Sequence, residues 1–303
     1  MECPAGAERS DTVTDSPDPR LSLNQATLKY APLREALAET GRAGIQSIGL
    51  WREPVADVGL RTAADLLADS GLRLSSLCRG GFFTHTEGQE RRASIDDNRR
   101  AIEECAVLAA HAAPGSEAVL VLVAGGIPAG STDLEAARDR VLDALAELVP
   151  DAEQAGVTLA IEPLHPMYVS DRAVVSTLGQ ALDLAEQFFS STVGVVVDTF
   201  HVWWDPDLMT QIARAGAGQR IASYQVCDWA TPLPADVLLA RHYPGDGVID
   251  FERITRAVVA AGYTGDIEVE IFNQNVWETP WPDVAAHTVR TFGETISPWL
   301  PKQ

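Results

Sequence analysis

Thiols, imidazoles and positive charge are all scarce in this chain. Of 303 residues only four are cysteine and six are histidine. The cysteines stand alone at Cys3, Cys78, Cys105 and Cys227 with no CxxC spacing. That excludes a disulfide framework and a structural zinc site of the Cys/His kind. Cys78, Cys105 and Cys227 read instead as small apolar fillers in a reducing compartment. Lysine and arginine number 23 against 43 acidic residues, a formal charge of −20. A field of that sign opposes binding to nucleic acid or to an anionic membrane. No apolar run reaches the ~20 residues of a bilayer span. The opening MECPAGAERSDTVTDSPDPR lacks the apolar core of a secretory signal and reads as a disordered tail over residues 1–20. The expected location is the cytoplasm.

What the chain does have is alternation. Short β-branched runs (LSLNQA, IQSIGLW, LRLSSLC, AVLVLVAGG, VTLAIE, VGVVVD, IASYQVC and DIEVEIF) are each followed by a longer segment of helical period. Helices are predicted over about 31–43, 57–70, 90–111, from Leu134 onward, 176–189, from Asp207, 250–261 and 282–296. Thr132 and Glu135 have the spacing of a capping box. Eight strand–helix pairs in series predict an α/β protein, a single-domain (β/α)8 TIM barrel over residues 21–303. No G-x-G-x-x-G follows the first run, and GGIPAG at 125–130 lacks the Lys-Ser/Thr of a phosphate loop.

Four side chains that can bind a metal stand at or near the carboxyl ends of the last four runs: Glu162, Asp198, Gln225 and Glu270. Active sites of parallel barrels assemble at that end. Three acids and an amide converging there would repel one another without a cation, and hard oxygen donors suit Mn²⁺ or Mg²⁺, with Co²⁺ as a third option. Glu268, two residues before Glu270, points to the same side of its strand one layer deeper and competes for the ligand role. Arg52 in LWRE and Arg79 in LCRGGFF also end predicted strands and are candidate substrate contacts. Trp51, Phe82, Phe83, Trp203 and Trp204 are candidate cavity walls. His165, three residues after Glu162, is a candidate acid for a leaving hydroxyl.

Five motifs resemble a known group: IEP at Glu162, VDTFH through Asp198 and His201, YQVCD through Gln225 and Asp228, PGDGVIDF at 244–251, and EVEIFN through Glu270. From about residue 21 to 296 the chain resembles the xylose-isomerase-like barrels, the sugar phosphate isomerase/epimerase superfamily that includes inosose isomerases and dehydratases. The resemblance implies that Glu162 and Glu270 are both metal ligands and proton-transfer groups, and that Asp198 and Gln225 are plain ligands. It implies that His201 and Arg241 contact substrate. Asp228 is expected to orient a ligand or Arg241. Many sugar epimerases of the group have histidine where this chain has Gln225, whereas related dehydratases can carry glutamine. The expected activity is therefore a metal-dependent isomerase or epimerase acting on a keto sugar or polyol through an enediolate. The alternative is a lyase performing β-elimination at the same site. An abasic-site endonuclease on this barrel needs many histidine ligands and meets the −20 charge. A non-catalytic barrel would use Trp277 and Trp281 as an interface. The expected partner is a small-molecule sugar or polyol, with a homo-oligomer or second subunit left open.

Overall fold

Strands buried on both faces require nearly continuous branched aliphatic sequence, and VLVLV and VGVVV supply it. In the computed structural model, which describes residues 16–86 and 88–302, these runs form parallel strands β1 (Leu21–Asn24), β2 (Ser47–Trp51), β3 (Arg73–Gly81), β4 (Val119–Val123), β5 (Thr158–Glu162), β6 (Val193–Asp198) and β7 (Ile221–Val226). A two-residue antiparallel ribbon, β8 (Asp228–Trp229) with β9 (Arg241–His242), precedes the last barrel strand, β10 (Ile267–Val269). The sheet closes in the order β1-β10-β7-β6-β5-β4-β3-β2. The expected TIM barrel is the observed fold.

Two apolar layers result. A large cluster lies between the sheet and the surrounding helices. A small one of Cys78, Val119, Val121, Ala160 and Val196 plugs the barrel interior. Because side chains alternate along a strand, Ala160 and Val196 share their faces with Glu162 and Asp198 two residues on. The apolar plug thus places those acids inside the barrel, at its C-terminal rim. Gly49 is required by a close approach: a Cβ there would collide with the Glu268 carboxylate. At the opposite end Arg73 pairs with Asp266 at 2.6 Å.

Three expectations are corrected in detail. The predicted helix 57–70 is two helices, Arg52–Val58 and Leu60–Ser70, because Gly59 turns the chain with φ +84°. The helix Leu134–Ala155 is capped by Asp133, which accepts from the Ala136 N–H at 3.0 Å, and not by Thr132. A carboxylate is the better partner for the positive helix end. Trp277 and Trp281 are half-buried, and the Trp277 Nε1–H donates to the Ala26 and Ile271 carbonyls, so neither forms an exposed face. Residues 1–15 of the expected tail, with Cys3, lie outside the described residues, while Arg20 donates to the Gly265 carbonyl at 2.9 Å. Among the described residues no helix is long and apolar enough to cross a membrane.

Candidate active site

The carboxyl ends of β5, β6 and β7 and the residue after β10 bring Glu162, Asp198, Gln225 and Glu270 to one buried place. Asp198 and Gln225 are register partners on adjacent strands. One oxygen each of Glu162 and Asp198 and a ring nitrogen of His201 all lie within 4.8 Å of one another. Asp198 is doubly held. Its Oδ1 accepts from the Phe200 N–H at 2.7 Å, capping the turn Thr199–Val202, and its Oδ2 accepts from Arg241 Nη1 at 3.3 Å.

Arg241 reaches in from β9 and is itself buried. Its Nη1 also donates to Glu270 Oε2 at 2.6 Å, and its guanidinium stacks 4.9 Å from both the Phe200 and Phe272 rings. One guanidinium therefore bridges two of the expected ligands. Burial holds the Glu162 carboxyl well above its ordinary range, and the nearby Asp198 and Glu270 charges add to this. Burial likewise pushes Glu270 up to about 7, with Arg241 opposing.

His201 meets a donor at each ring nitrogen: the His165 backbone N–H lies 3.1 Å from Nδ1 and Arg241 Nη2 lies 3.0 Å from Nε2, and a neutral ring accepts at one of them. Burial, and then the Arg241 charge, keep it from protonating.

Gln225 carries the test of whether a metal fits. Both its Oε1 and Nε2 are buried with no hydrogen-bond partner among the described residues. Such a group costs ~1–3 kcal/mol unless something completes it. Three carboxylates beside an unpartnered amide oxygen form a donor set that a divalent cation satisfies.

A profile of the family described as xylose isomerase-like TIM barrel matches residues 34–295. The chain belongs to that family. A Sinorhizobium meliloti 1021 protein of known crystal structure is 47% identical with a TM-score of 0.85, covering 90% of this chain and 97% of its own. An inosose isomerase from Bacillus velezensis is 25% identical over 286 residues, 91% of this chain and 95% of the relative. The structure of an IOLI protein with a bound zinc atom has a TM-score of 0.77 at 22% identity, covering 93% and 99%, and shows the shared barrel. Over shorter stretches of 124 and 149 residues the chain is similar to a 3-dehydroshikimate dehydratase and an L-ribulose-5-phosphate 3-epimerase. The relatives of this family member are thus isomerases, epimerases and a dehydratase.

The remaining candidates fall unevenly around a cavity of about 200 Å³ at the barrel mouth. Glu162, His201, Arg241, Glu270, Arg79, Trp51 and Phe82 line it. Arg52 does not; its guanidinium is taken by Glu104 at 2.6 Å and Asp97 at 2.9 Å, beside a neighbouring cavity. The His165 imidazole does not line it either. Its Nδ1 accepts from the Met167 N–H at 3.3 Å, and its ring packs against Trp204 and Trp229. Phe83 is buried in the core, and Trp203 and Trp204 pack outside the cavity lining. Glu268 lies below, accepting from Asn24 Nδ2 at 2.8 Å. Asp228 orients the PGDG turn instead of Arg241, accepting the N–H groups of Gly245, Gly247 and Ile249 at 2.8–3.0 Å. The sequence reading missed Lys29, Tyr168 and Arg172, which also line the cavity. Their only signal is position, in the loops that follow β1 and β5.

Proposed function

We propose that this protein is a divalent-metal-dependent sugar isomerase or epimerase, acting on a keto sugar or related polyol through an enediolate. The observation that carries this reading is the unpartnered, buried Gln225 amide beside Asp198 on the neighbouring strand, at the barrel end where Glu162 and Glu270 line a cavity. Glu162, Asp198, Gln225 and Glu270 would hold the cation, with oxygen donors favouring Mn²⁺ or Mg²⁺ over Co²⁺. When bound, such an ion supplies Lewis acidity toward substrate oxygens.

The chain's own groups do the rest. Glu162 and Glu270 approach from β5 and from beyond β10, on either side of β6 and β7. One carboxylate takes the proton from the carbon next to the carbonyl, and the other returns it to the opposite face or the neighbouring carbon. A pKa lifted toward neutrality suits that exchange, because the same group must both accept and release a proton. Arg241 holds Glu270 Oε2 and so orients the other oxygen. His201, which lines the cavity, hydrogen-bonds a substrate hydroxyl or developing oxyanion. The buried unpaired thiols Cys78, Cys105 and Cys227 fit a reducing, cytoplasmic setting.

The test is turnover of Glu162→Gln and Glu270→Gln under saturating Mn²⁺. Each is expected to keep its fold by circular dichroism and to lose about 10²–10⁴-fold in rate. Near wild-type turnover by either would end the assignment. The second reading, a lyase eliminating water or an alcohol, is favoured by the likeness to a dehydratase and by Gln225 itself. It starts from the same proton abstraction but lacks an acid in His165, whose ring is turned away from the cavity. Reaction in D₂O separates the two: a deuterated stereoisomer supports isomerisation and an unsaturated ketone supports elimination.

A further inference from the structure

The mouth of the cavity carries positive charge that the proton-transfer chemistry leaves unused. Lys29, Arg79 and Arg172 line it along with Arg241. In a chain with 43 acids and 23 bases, basic side chains readily find carboxylates, and most arginines here have done so. Arg52, Arg73, Arg99, Arg214 and Arg241 all pair with acids at 2.5–3.4 Å. At the rim Lys29 and Arg79 have not, and Arg172 meets only its exposed chain neighbour Asp171, at 3.7 Å.

Each is held by an aromatic face instead. The Arg79 guanidinium carbon lies 4.4 Å from the Phe82 ring centroid, Lys29 Nζ 5.3 Å from the Trp51 ring, and the Arg172 guanidinium carbon 5.9 Å from the Tyr168 ring. Among the described residues the sole carboxylate within 4 Å of any of them is the exposed Asp171, 3.7 Å from Arg172 Nε. Stacking occupies the face of a guanidinium and leaves its in-plane N–H donors free, so these groups keep their hydrogen-bonding capacity. Arg79 is half-buried, and that burial lowers its pKa, the cost of keeping a cation there without a paired counter-ion. The one further acid in the lining is Glu53. With Glu162, Asp198 and Glu270 offset by Arg241 and a bound cation, the rim is left net positive, against the sign of the whole molecule.

We infer that the substrate carries an anionic oxygen group, a carboxylate or a phosphate, received by Arg79 and Arg172 with Lys29 adding charge at the entrance. This rests on the isomerase reading for the identity of the site, and it selects acidic polyols over neutral ones within that reading. Arg and planar oxyanions match in fork geometry, and a ring wall of Trp51 and Phe82 suits the CH faces of a cyclic polyol.

Binding, not turnover, tests it. Calorimetric titration of the full chain in excess Mn²⁺ would use three probes: myo-inositol, quinate as a polyol carboxylate, and myo-inositol 1-phosphate. At least one anionic probe is expected to bind about tenfold tighter than inositol, and which one identifies the group. Arg79→Gln and Arg172→Gln should each weaken that probe about five- to tenfold, while inositol changes less than twofold; these are the sizes expected of one net hydrogen bond at a solvent-accessible site. Arg79→Lys, which keeps the charge, should retain most of the preference and covers the case in which Arg79→Gln fails to fold. Arg61→Gln, on a side chain 90% exposed, should change nothing. The inference is overturned if no anionic probe outbinds inositol, or if the two glutamine variants weaken inositol and the anion equally. If Glu162→Gln turns over normally yet the anion preference stands, the isomerase reading fails and this one survives. Turnover of neutral polyols with no anion preference gives the reverse result.

Discussion

Replacing Arg241 by methionine keeps most of the side-chain volume and removes the cation that faces Asp198 and Glu270. In the wild-type protein its Nη1 lies 2.6 Å from Glu270 and 3.3 Å from Asp198, with the side chain 5% exposed. Breaking a buried pair from one side costs ~3–5 kcal/mol, because the remaining charge stays desolvated and unpaired. The carboxyls blunt this loss by taking up protons, which burial has already favoured for Glu162 and Glu270. With an unfolding entropy of ~2.1 cal/mol/K per residue and 303 residues, ~3–5 kcal/mol corresponds to about 5–8 °C in the unfolding midpoint. Thermal scans at one fixed rate in a chelating buffer should record that drop. In excess Mn²⁺ the loss should shrink by at least half, since a cation among the same carboxylates supplies the missing charge. An equal loss in both buffers would refute the reasoning, because Arg241 would then be stabilising through packing alone. No loss in the chelator would refute it equally.

Three further outcomes are expected. Gln225→Leu should lower Mn²⁺ affinity by about tenfold or more, measured by calorimetry, while the metal-free protein stays as stable or gains slightly, since two unpartnered buried atoms are removed. Asp228→Asn should cost about 2–4 kcal/mol and speed hydrogen exchange at Gly245, Gly247 and Ile249, because an amide cannot accept all the N–H groups that the two carboxylate oxygens now accept. The Glu270 carboxyl, pushed up to about 7 from an ordinary value of 4.5, binds more protons folded than unfolded between those limits. Its contribution to stability is therefore largest at the acid end and falls as pH rises through 7. Glutamine does not titrate, so the stability of metal-free wild type relative to Glu270→Gln should increase as pH is lowered from 8 to 5. A gap that is flat or narrows on acidification would contradict this.

Much of the architecture is legible in the order of residues, because it depends on neighbours along the chain. Strand runs such as VLVLV and helical stripes recur eight times. A period of two then assigns Glu162 to the same face as Ala160, and Asp198 to the same face as Val196. The motifs around Asp198, Asp228 and Glu270 point to the family in the same local way. Closure of the sheet decided the rest, since it joins segments that share no periodicity. It turned Arg241 onto Asp198 and Glu270, committed Arg52 to Glu104 and Asp97, and sank Glu268 onto Asn24. It also turned the His165 ring toward Trp204 and Trp229, and gathered Lys29, Arg79 and Arg172 at the cavity from positions 50 to 143 residues apart in the chain. Side-chain direction at such positions is set by the partners that folding delivers, and charge pairing at a distance leaves no mark in the spacing of residues.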